Sequence, residues 1–303
     1  MNSGIHKIPS LPQEIVEAVN NHNLSIFSGA GVSRLIGCPG WIQLADHFVD
    51  KCYELHCINH KQRSYLLQNE NKKKVITICY HLLKNHNHEK EFFSTLTKSL
   101  EGDKKLLEHR NIYRELAHIP ALFITTNADR HFDEFFLPER IVYKIRDFDP
   151  LKIDRDKLYH IHGSLEDTSS LVFTVPQYLL RYNDPTFNRF LETIFAENLV
   201  LFIGYGMDEF ELLDFLIRKF DPKSERELKH FILTPYYKGE EDVLGFDSFY
   251  FNSMGIRIIG FEKDEIGHDQ LYDVLRHWTE EIKQTSDFLH EDAREIDEVV
   301  DNL

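Results

Sequence analysis

The stretch Phe27-Ser28-Gly29-Ala30-Gly31-Val32-Ser33 decides the fold of this chain. It overlaps the end of a short apolar run, Leu24-Ser25-Ile26-Phe27, which predicts a buried strand of a parallel sheet. Glycine turns that lead from a strand into a helix are typical of phosphate-binding loops, since free backbone N–H groups and the positive helix end face the ligand. Such turns also serve merely to pack a strand against a helix, and Arg34 replaces the third glycine of G-x-G-x-x-G.

Further apolar runs of strand length return later in the chain and alternate with helical patterns. They cover residues 121–125, 157–161, 199–203, 230–233 and 256–259. This alternation predicts an α/β protein with a Rossmann-like, doubly wound and mostly parallel sheet. Residues from about 42 to 118 instead predict a helical module inserted after the glycine turn.

Composition and charge exclude several classes of protein. The chain has 303 residues, 42% of them apolar, which is enough for a real core. A net charge of −15 disfavours binding to nucleic acid, and no apolar run is long enough to cross a membrane. The four cysteines are Cys38, Cys52, Cys57 and Cys79. They form no C-x-x-C pair, so we predict no zinc site. We also predict a cytoplasmic protein in which these thiols are reduced.

Polar clusters follow three of the later strands. They are Thr125-Thr126-Asn127-Ala128-Asp129, His160-Ile161-His162-Gly163-Ser164 and Gly204-Tyr205-Gly206-Met207-Asp208. Ligands of doubly wound sheets bind outside the carboxyl ends of the strands, so these side chains are candidates for a site. The first cluster is equally consistent with an Asx-turn that caps a helix near His131, and a lone histidine is usually structural.

The ordered set of Gly29-Ala30-Gly31-Val32-Ser33, Thr126-Asn127-Ala128-Asp129, His162-Gly163 and Gly204-Tyr205-Gly206 resembles the sirtuin (silent information regulator) family. The resemblance spans roughly residues 20–262. It implies an NAD-binding catalytic domain, which we place at residues 1–284, followed by an acidic tail over residues 285–303.

The resemblance also implies a role for each matching residue. Asn127 and His162 would be catalytic, Asn127 by positioning a water and His162 by contacting the ribose hydroxyls. Asp129 would recognise the carboxamide. The remaining residues predicted to bind NAD are Gly29, Ala30, Gly31, Ser33, Thr126, Gly204, Tyr205 and Gly206.

The chain departs from the protein-deacylating sirtuins in two ways. It lacks their two C-x-x-C pairs, and Thr125-Thr126-Asn127-Ala128-Asp129 stands in place of Thr-Gln-Asn-Ile-Asp. In this it resembles the bacterial sirtuin-like branch associated with NAD hydrolysis in antiviral defence. The resemblance implies an NAD+ glycohydrolase that releases nicotinamide and ADP-ribose and acts by NAD depletion in abortive infection. Two alternatives stay open: a sirtuin-like protein deacylase or ADP-ribosyltransferase, and a non-catalytic NAD or ADP-ribose sensor.

Toxic NAD hydrolysis would need control, so we expect a homo-oligomer, a partner ATPase or a sensor protein to gate the activity. A dense aromatic group favours a contact between copies of the chain. Its members are Tyr236, Tyr237, Phe246, Phe249, Tyr250 and Phe251.

Overall fold

Seven parallel strands form one sheet in a computed structural model, which describes residues 8–206, 229–263 and 267–301, with side chains up to residue 285. In these residues the strand order is β3-β4-β2-β1-β5-β6-β7. The strands are β1 (Leu24–Ser28), β2 (Leu122–Thr125), β3 (Ile141–Val142), β4 (Leu158–His160), β5 (Leu199–Ile203), β6 (His230–Tyr236) and β7 (Ile256–Glu262). The predicted Rossmann-like α/β fold is confirmed.

Strand β1 lies at the centre of the sheet and pairs with β2 on one side and β5 on the other. The strand order therefore changes direction at β1 and β5, and their carboxyl ends form the switch point where open α/β sheets bind ligands. All five residues of β1 are buried because both faces of the sheet are covered. Ile26 packs into the apolar layer on one face and Phe27 into the layer on the other.

Between β1 and β2 the chain is helical. The helices there are α2 (Ala30–Arg34), α3 (Trp41–Glu54), α4 (His60–Leu67), α5 (Lys72–Asn85), α6 (Glu89–Ser99), α7 (Lys104–His109) and α8 (Ile112–Ala117). The rings of Phe48 on α3 and Phe92 on α6 stack with centroids 4.2 Å apart. All four cysteines are free and buried, as expected of reduced core residues.

Five further helices flank the sheet in the described residues. They are α1 (Gln13–Asn20), α9 (Val175–Tyr182), α10 (Pro185–Glu197), α11 (Glu241–Asn252) and α12 (Gln270–Asp301). Trp278 of α12 is fully buried and donates a hydrogen bond to the Pro9 carbonyl at 2.9 Å. This helix continues to Asp301, through the region predicted as an acidic tail.

Several sequence predictions differ from the structure in detail. The pattern Ser10-Leu11-Pro12-Gln13 predicts a capping box, but α1 begins at Gln13 with Pro12 at its N-cap and no side-chain cap. The short strand β3 has no counterpart among the predicted strands. Strands β6 and β7 each continue three residues further than predicted, because they pair along their whole length. The helical pattern of Leu213, Leu216, Ile217 and Phe220 in the sequence lies outside the described residues. None of the described helices is long and apolar enough to cross a bilayer.

Candidate active site

The two glycine turns contact each other directly at the switch point. The Gly31 N–H donates to the Gly204 carbonyl at 2.7 Å, and the Gly29 N–H donates to the Ile203 carbonyl at 2.9 Å. A Cβ on Gly31 would lie 2.7 Å from the Gly204 Cα, and Gly204 itself has a positive φ of 64°. The N–H groups of Gly29 and Gly31 thus both donate within the protein.

Two adjoining cavities open where the turns meet, and both are lined by Ala30 and Trp41. The first measures about 50 Å³ and the second about 430 Å³. The residues predicted from sequence that line the first are Ala30, Ser33, Thr126, Asn127, Asp129 and His162. Those that line the second are Ala30, Gly31, Gly204, Tyr205 and Gly206. The structure thus brings together the three polar clusters that follow separate strands.

Asn127 is held by hydrogen bonds that fix the orientation of its carboxamide. Its Nδ2 donates to the Gly29 carbonyl at 3.0 Å and to the Tyr113 hydroxyl at 3.1 Å. A carbonyl oxygen can only accept, so the nitrogen must face Gly29. In the described part of the chain no group donates to the Asn127 Oδ1, and this residue lines the first cavity. Gly29, which lines neither cavity, therefore contributes by holding Asn127.

His160 is fully buried and hydrogen-bonds to the backbone carbonyl of Asn127. Its Nδ1 lies 2.8 Å from the Asn127 carbonyl oxygen and its Nε2 lies 2.7 Å from a carboxylate oxygen of Asp133. Both neighbours are acceptors, so the ring must carry two protons to satisfy them. Burial disfavours this charged form, but the hydrogen bond and the charge of Asp133 outweigh it and raise the pKa of His160.

His162 lies at the edge of the first cavity and is in the opposite charge state. Its Nε2 is 2.9 Å from the Tyr182 hydroxyl, and its ring packs edge-on against Tyr178. Burial, followed by the positive charges of Arg181 and Lys73, holds the pKa of His162 well below its usual value of 6.5. A neutral imidazole in a cleft can accept a proton, which His160 cannot do.

Asp129 is tied into the wall of the first cavity. One carboxylate oxygen accepts from the Ser33 hydroxyl at 2.6 Å and from the Tyr113 hydroxyl at 3.1 Å, and the other accepts from the His131 N–H at 3.2 Å. The bond to His131 is the Asx-turn that the sequence also allowed, although only a short 3₁₀ turn, Asp133–Phe135, follows it. Recognition of a carboxamide by Asp129 stays a prediction.

Four side chains of the site were missed from sequence, and they lie on helices rather than at strand ends. Tyr113 on α8 contacts both Asn127 and Asp129, whereas Trp41, Lys73 and Tyr178 line the first cavity. The run Lys72–Lys74 in the sequence predicts a solvated helix face, but the Lys73 side chain lines the first cavity. Its Nζ lies 4.8 Å from the centroid of the Tyr178 ring and 5.8 Å from that of the Trp41 ring.

The fold and cleft define a Rossmann-like α/β protein with two adjoining cavities at its switch point. Residues 121–259 match the model of the SIR2-like domain. The chain is 26% identical to Defense-associated sirtuin 2 of Bacillus subtilis across 96% of its own length and 28% of that protein. It is 27% identical to NAD(+) hydrolase ThsA of Cytobacillus dafuensis across 67% of its length and 39% of that protein. The chain therefore contains a SIR2-like domain over residues 121–259 and is similar to sirtuin-like proteins over the lengths given.

The chain spans less than two fifths of the length of either curated relative that it matches. In the residues that the structure describes, no three side chains of histidine, cysteine, aspartate or glutamate are grouped so that they could hold a metal ion.

Proposed function

We propose that this protein hydrolyses the bond between nicotinamide and ribose in NAD and releases nicotinamide and ADP-ribose. The observation that carries the proposal is the pair of adjoining cavities over the switch point, with Asn127 and His162 at one end and the two glycine turns at the other. The second cavity, at about 430 Å³, lies within the usual range for ligand pockets and is assigned to the ADP half. Similarity to a protein named NAD(+) hydrolase supports the assignment.

The chemistry fits the groups that the first cavity presents. Nicotinamide leaves a cationic ring as a neutral molecule, so the protein needs no general acid for its departure. The Asn127 Oδ1 is directed by two fixed hydrogen bonds on its nitrogen and can accept a hydrogen bond from the attacking water. Neutral His162 can hold a ribose hydroxyl and take up a proton as the new C–O bond forms.

The direct test is to incubate the purified protein with NAD and to quantify NAD, nicotinamide and ADP-ribose by chromatography. Asn127→Ala and His162→Ala should each abolish the loss of NAD. The matched controls are Asn85→Ala and His86→Ala, which remove the same side chains at exposed positions and should leave activity unchanged. Full activity in both site variants would refute the assignment of these two residues.

The same incubation separates the alternatives. With an acylated peptide added, a deacylase or an ADP-ribosyltransferase would shift the mass of the peptide, whereas a hydrolase leaves the peptide intact. A non-catalytic sensor would bind ADP-ribose and leave NAD intact. The proposal predicts equal molar yields of nicotinamide and ADP-ribose with an unmodified peptide.

We further propose that the activity is gated and serves in antiphage defence. The name of the relative Defense-associated sirtuin 2 supports the defence role. The small first cavity, about 50 Å³, supports gating because ordinary ligand pockets hold roughly 300–1,000 Å³. Its wall, which includes Trp41, Lys73 and Tyr178, must move outward to admit the nicotinamide ring. A homo-oligomer or a partner ATPase or sensor could drive that movement.

The aromatic group predicted as a contact between copies remains a prediction. Phe246 and Phe249 are 71% and 77% exposed on α11, whereas Phe251 is buried in the core.

A further inference from the structure

The hydroxyl of Tyr113 joins three polar side chains of the candidate active site. Its oxygen lies 3.0 Å from the Ser33 Oγ, 3.1 Å from an Asp129 carboxylate oxygen and 3.1 Å from the Asn127 Nδ2. Ser33 follows β1, whereas Asn127 and Asp129 follow β2, and Tyr113 comes from α8 at the end of the helices that separate these strands. One hydroxyl thus links the helical region to both strand ends that carry the site.

The direction of these hydrogen bonds follows from the chemistry of the partners. The Asp129 carboxylate can only accept, and it accepts a hydrogen bond from the Ser33 hydroxyl. The Tyr113 hydroxyl donates its single proton either to the same carboxylate oxygen or to the Ser33 oxygen. The Asn127 nitrogen faces the Gly29 carbonyl and is therefore a donor. In both arrangements the Tyr113 oxygen accepts from Asn127 and helps to turn the Asn127 Oδ1 toward the cavity.

The side chain of Tyr113 is held in place by burial and by packing against a neighbouring ring. Its side chain is 1% exposed, and its ring stacks on Phe132 with centroids 4.8 Å apart. Burial, reinforced by the charge of Asp129, raises its pKa well above the usual value, so the phenol keeps its proton. Tyr113 does not line either cavity, so it acts on a ligand only through the residues that it holds.

We propose that Tyr113 is a positioning residue through which the helical region between β1 and β2 sets the carboxamide of Asn127 for reaction. The reaction itself rests on the proposed function. Loss of one of the two hydrogen bonds on Nδ2 lets the carboxamide rotate away from its working orientation. A misplaced group of this kind costs about 10- to 100-fold in turnover, with little change in substrate binding.

The test compares Tyr113→Phe with Tyr159→Phe in the full chain. Tyr159 is equally buried, and its hydroxyl oxygen accepts a hydrogen bond from the Asp154 N–H at 2.9 Å. Neither residue lines the two cavities. Each variant is assayed for kcat and KM with NAD. In parallel, the side-chain amide resonances of Asn127, assigned by their loss in Asn127→Asp, are recorded by NMR in the absence of any ligand.

We expect Tyr113→Phe to shift the Asn127 amide resonances and to lower kcat at least about 10-fold, with KM within about twofold of wild type. Tyr159→Phe should change neither. Unchanged Asn127 resonances, an unchanged kcat, or equal losses in both variants would overturn the proposal. If the wild-type chain leaves NAD intact both alone and with the products of its neighbouring genes added, the proposed hydrolysis is refuted, and the Asn127 resonances alone then decide whether Tyr113 positions this side chain.

Discussion

The contact between the two glycine turns leaves no room for a side chain at Gly31. Alanine at this position adds a Cβ only 2.7 Å from both the Cα and the carbonyl oxygen of Gly204. Both atoms belong to the backbone, so no side chain can rotate to make room. The turn that follows β5 must move away, which also lengthens the 2.7 Å hydrogen bond from the Gly31 N–H to Gly204.

Overpacking of this kind costs about 1–3 kcal/mol of unfolding free energy. For a chain of this size, each kcal/mol corresponds to roughly 2 °C in Tm, so Gly31→Ala should lower Tm by about 2–6 °C. Since Gly31 and Gly204 both line the second cavity, the affinity for ADP-ribose should fall at least about 10-fold, the equivalent of 1.4 kcal/mol.

Gly245 supplies a control, because the same glycine-to-alanine change should there raise the free energy of unfolding instead of lowering it. It lies inside α11, and a Cβ added there would meet no atom within 4 Å. Replacing an interior helical glycine by alanine reduces the conformational entropy lost on folding and stabilises by about 0.5–1 kcal/mol. Gly245→Ala should therefore raise Tm by roughly 1–2 °C and leave ADP-ribose binding unchanged.

The assay is thermal unfolding followed by circular dichroism, with ADP-ribose affinity measured by calorimetry on the same samples. The reasoning is refuted if Gly31→Ala is as stable as wild type, or if both alanine variants shift Tm in the same direction. A lower Tm of Gly31→Ala with unchanged ADP-ribose affinity would mean that Gly31 is tightly packed but does not contribute to ADP-ribose binding.

Three further predictions concern charge and the cavity wall. Asp133 raises the pKa of His160 against the effect of burial. The stabilisation from this pair is therefore full below the unfolded pKa of about 6.5 and is lost as pH rises through the folded pKa. Asp133→Asn should thus lower the free energy of unfolding, measured in urea, more at pH 6 than at pH 9. Burial, and after it Arg181, lowers the pKa of His162, so Arg181→Met should move the acidic limb of the kcat/KM profile toward neutral pH, whereas Arg181→Lys should not. Trp41→Ala, which removes the ring shared by both cavities, should raise KM for NAD by about 10-fold in steady-state assays; an unchanged KM would exclude Trp41 from the ligand site.

The sheet could be predicted from sequence because its strands are buried on both faces. A strand such as β5 is apolar at every position and stands out as a continuous run. Once the strands are parallel, their carboxyl ends must meet at one edge, which is why Asn127 and His162 could be placed together without a structure. Strand β3, with only two residues, is too short to give such a signal.

The supporting residues could not be predicted, since their roles arise from tertiary packing. Tyr113 looks like any apolar position of α8, and nothing local shows that its hydroxyl lies beside Asn127. Lys73 belongs to a polar run, yet the docking of α5 turns it toward the first cavity. The Gly31 N–H donates to the carbonyl of Gly204, which is 173 residues away in the chain. The glycine pattern alone does not specify this partner.

The central claim is that Asn127 and His162 direct the hydrolysis of NAD. The most direct test is a time course of NAD, nicotinamide and ADP-ribose by proton NMR, with wild type and Asn127→Ala at equal concentration and with ADP-ribose binding of both measured. We expect wild type to convert NAD to nicotinamide and ADP-ribose in equal amounts, whereas Asn127→Ala should bind ADP-ribose and leave NAD intact. Equal rates in the two proteins would contradict this assignment, as would wild type that binds ADP-ribose and leaves NAD unchanged both alone and with the products of its neighbouring genes added.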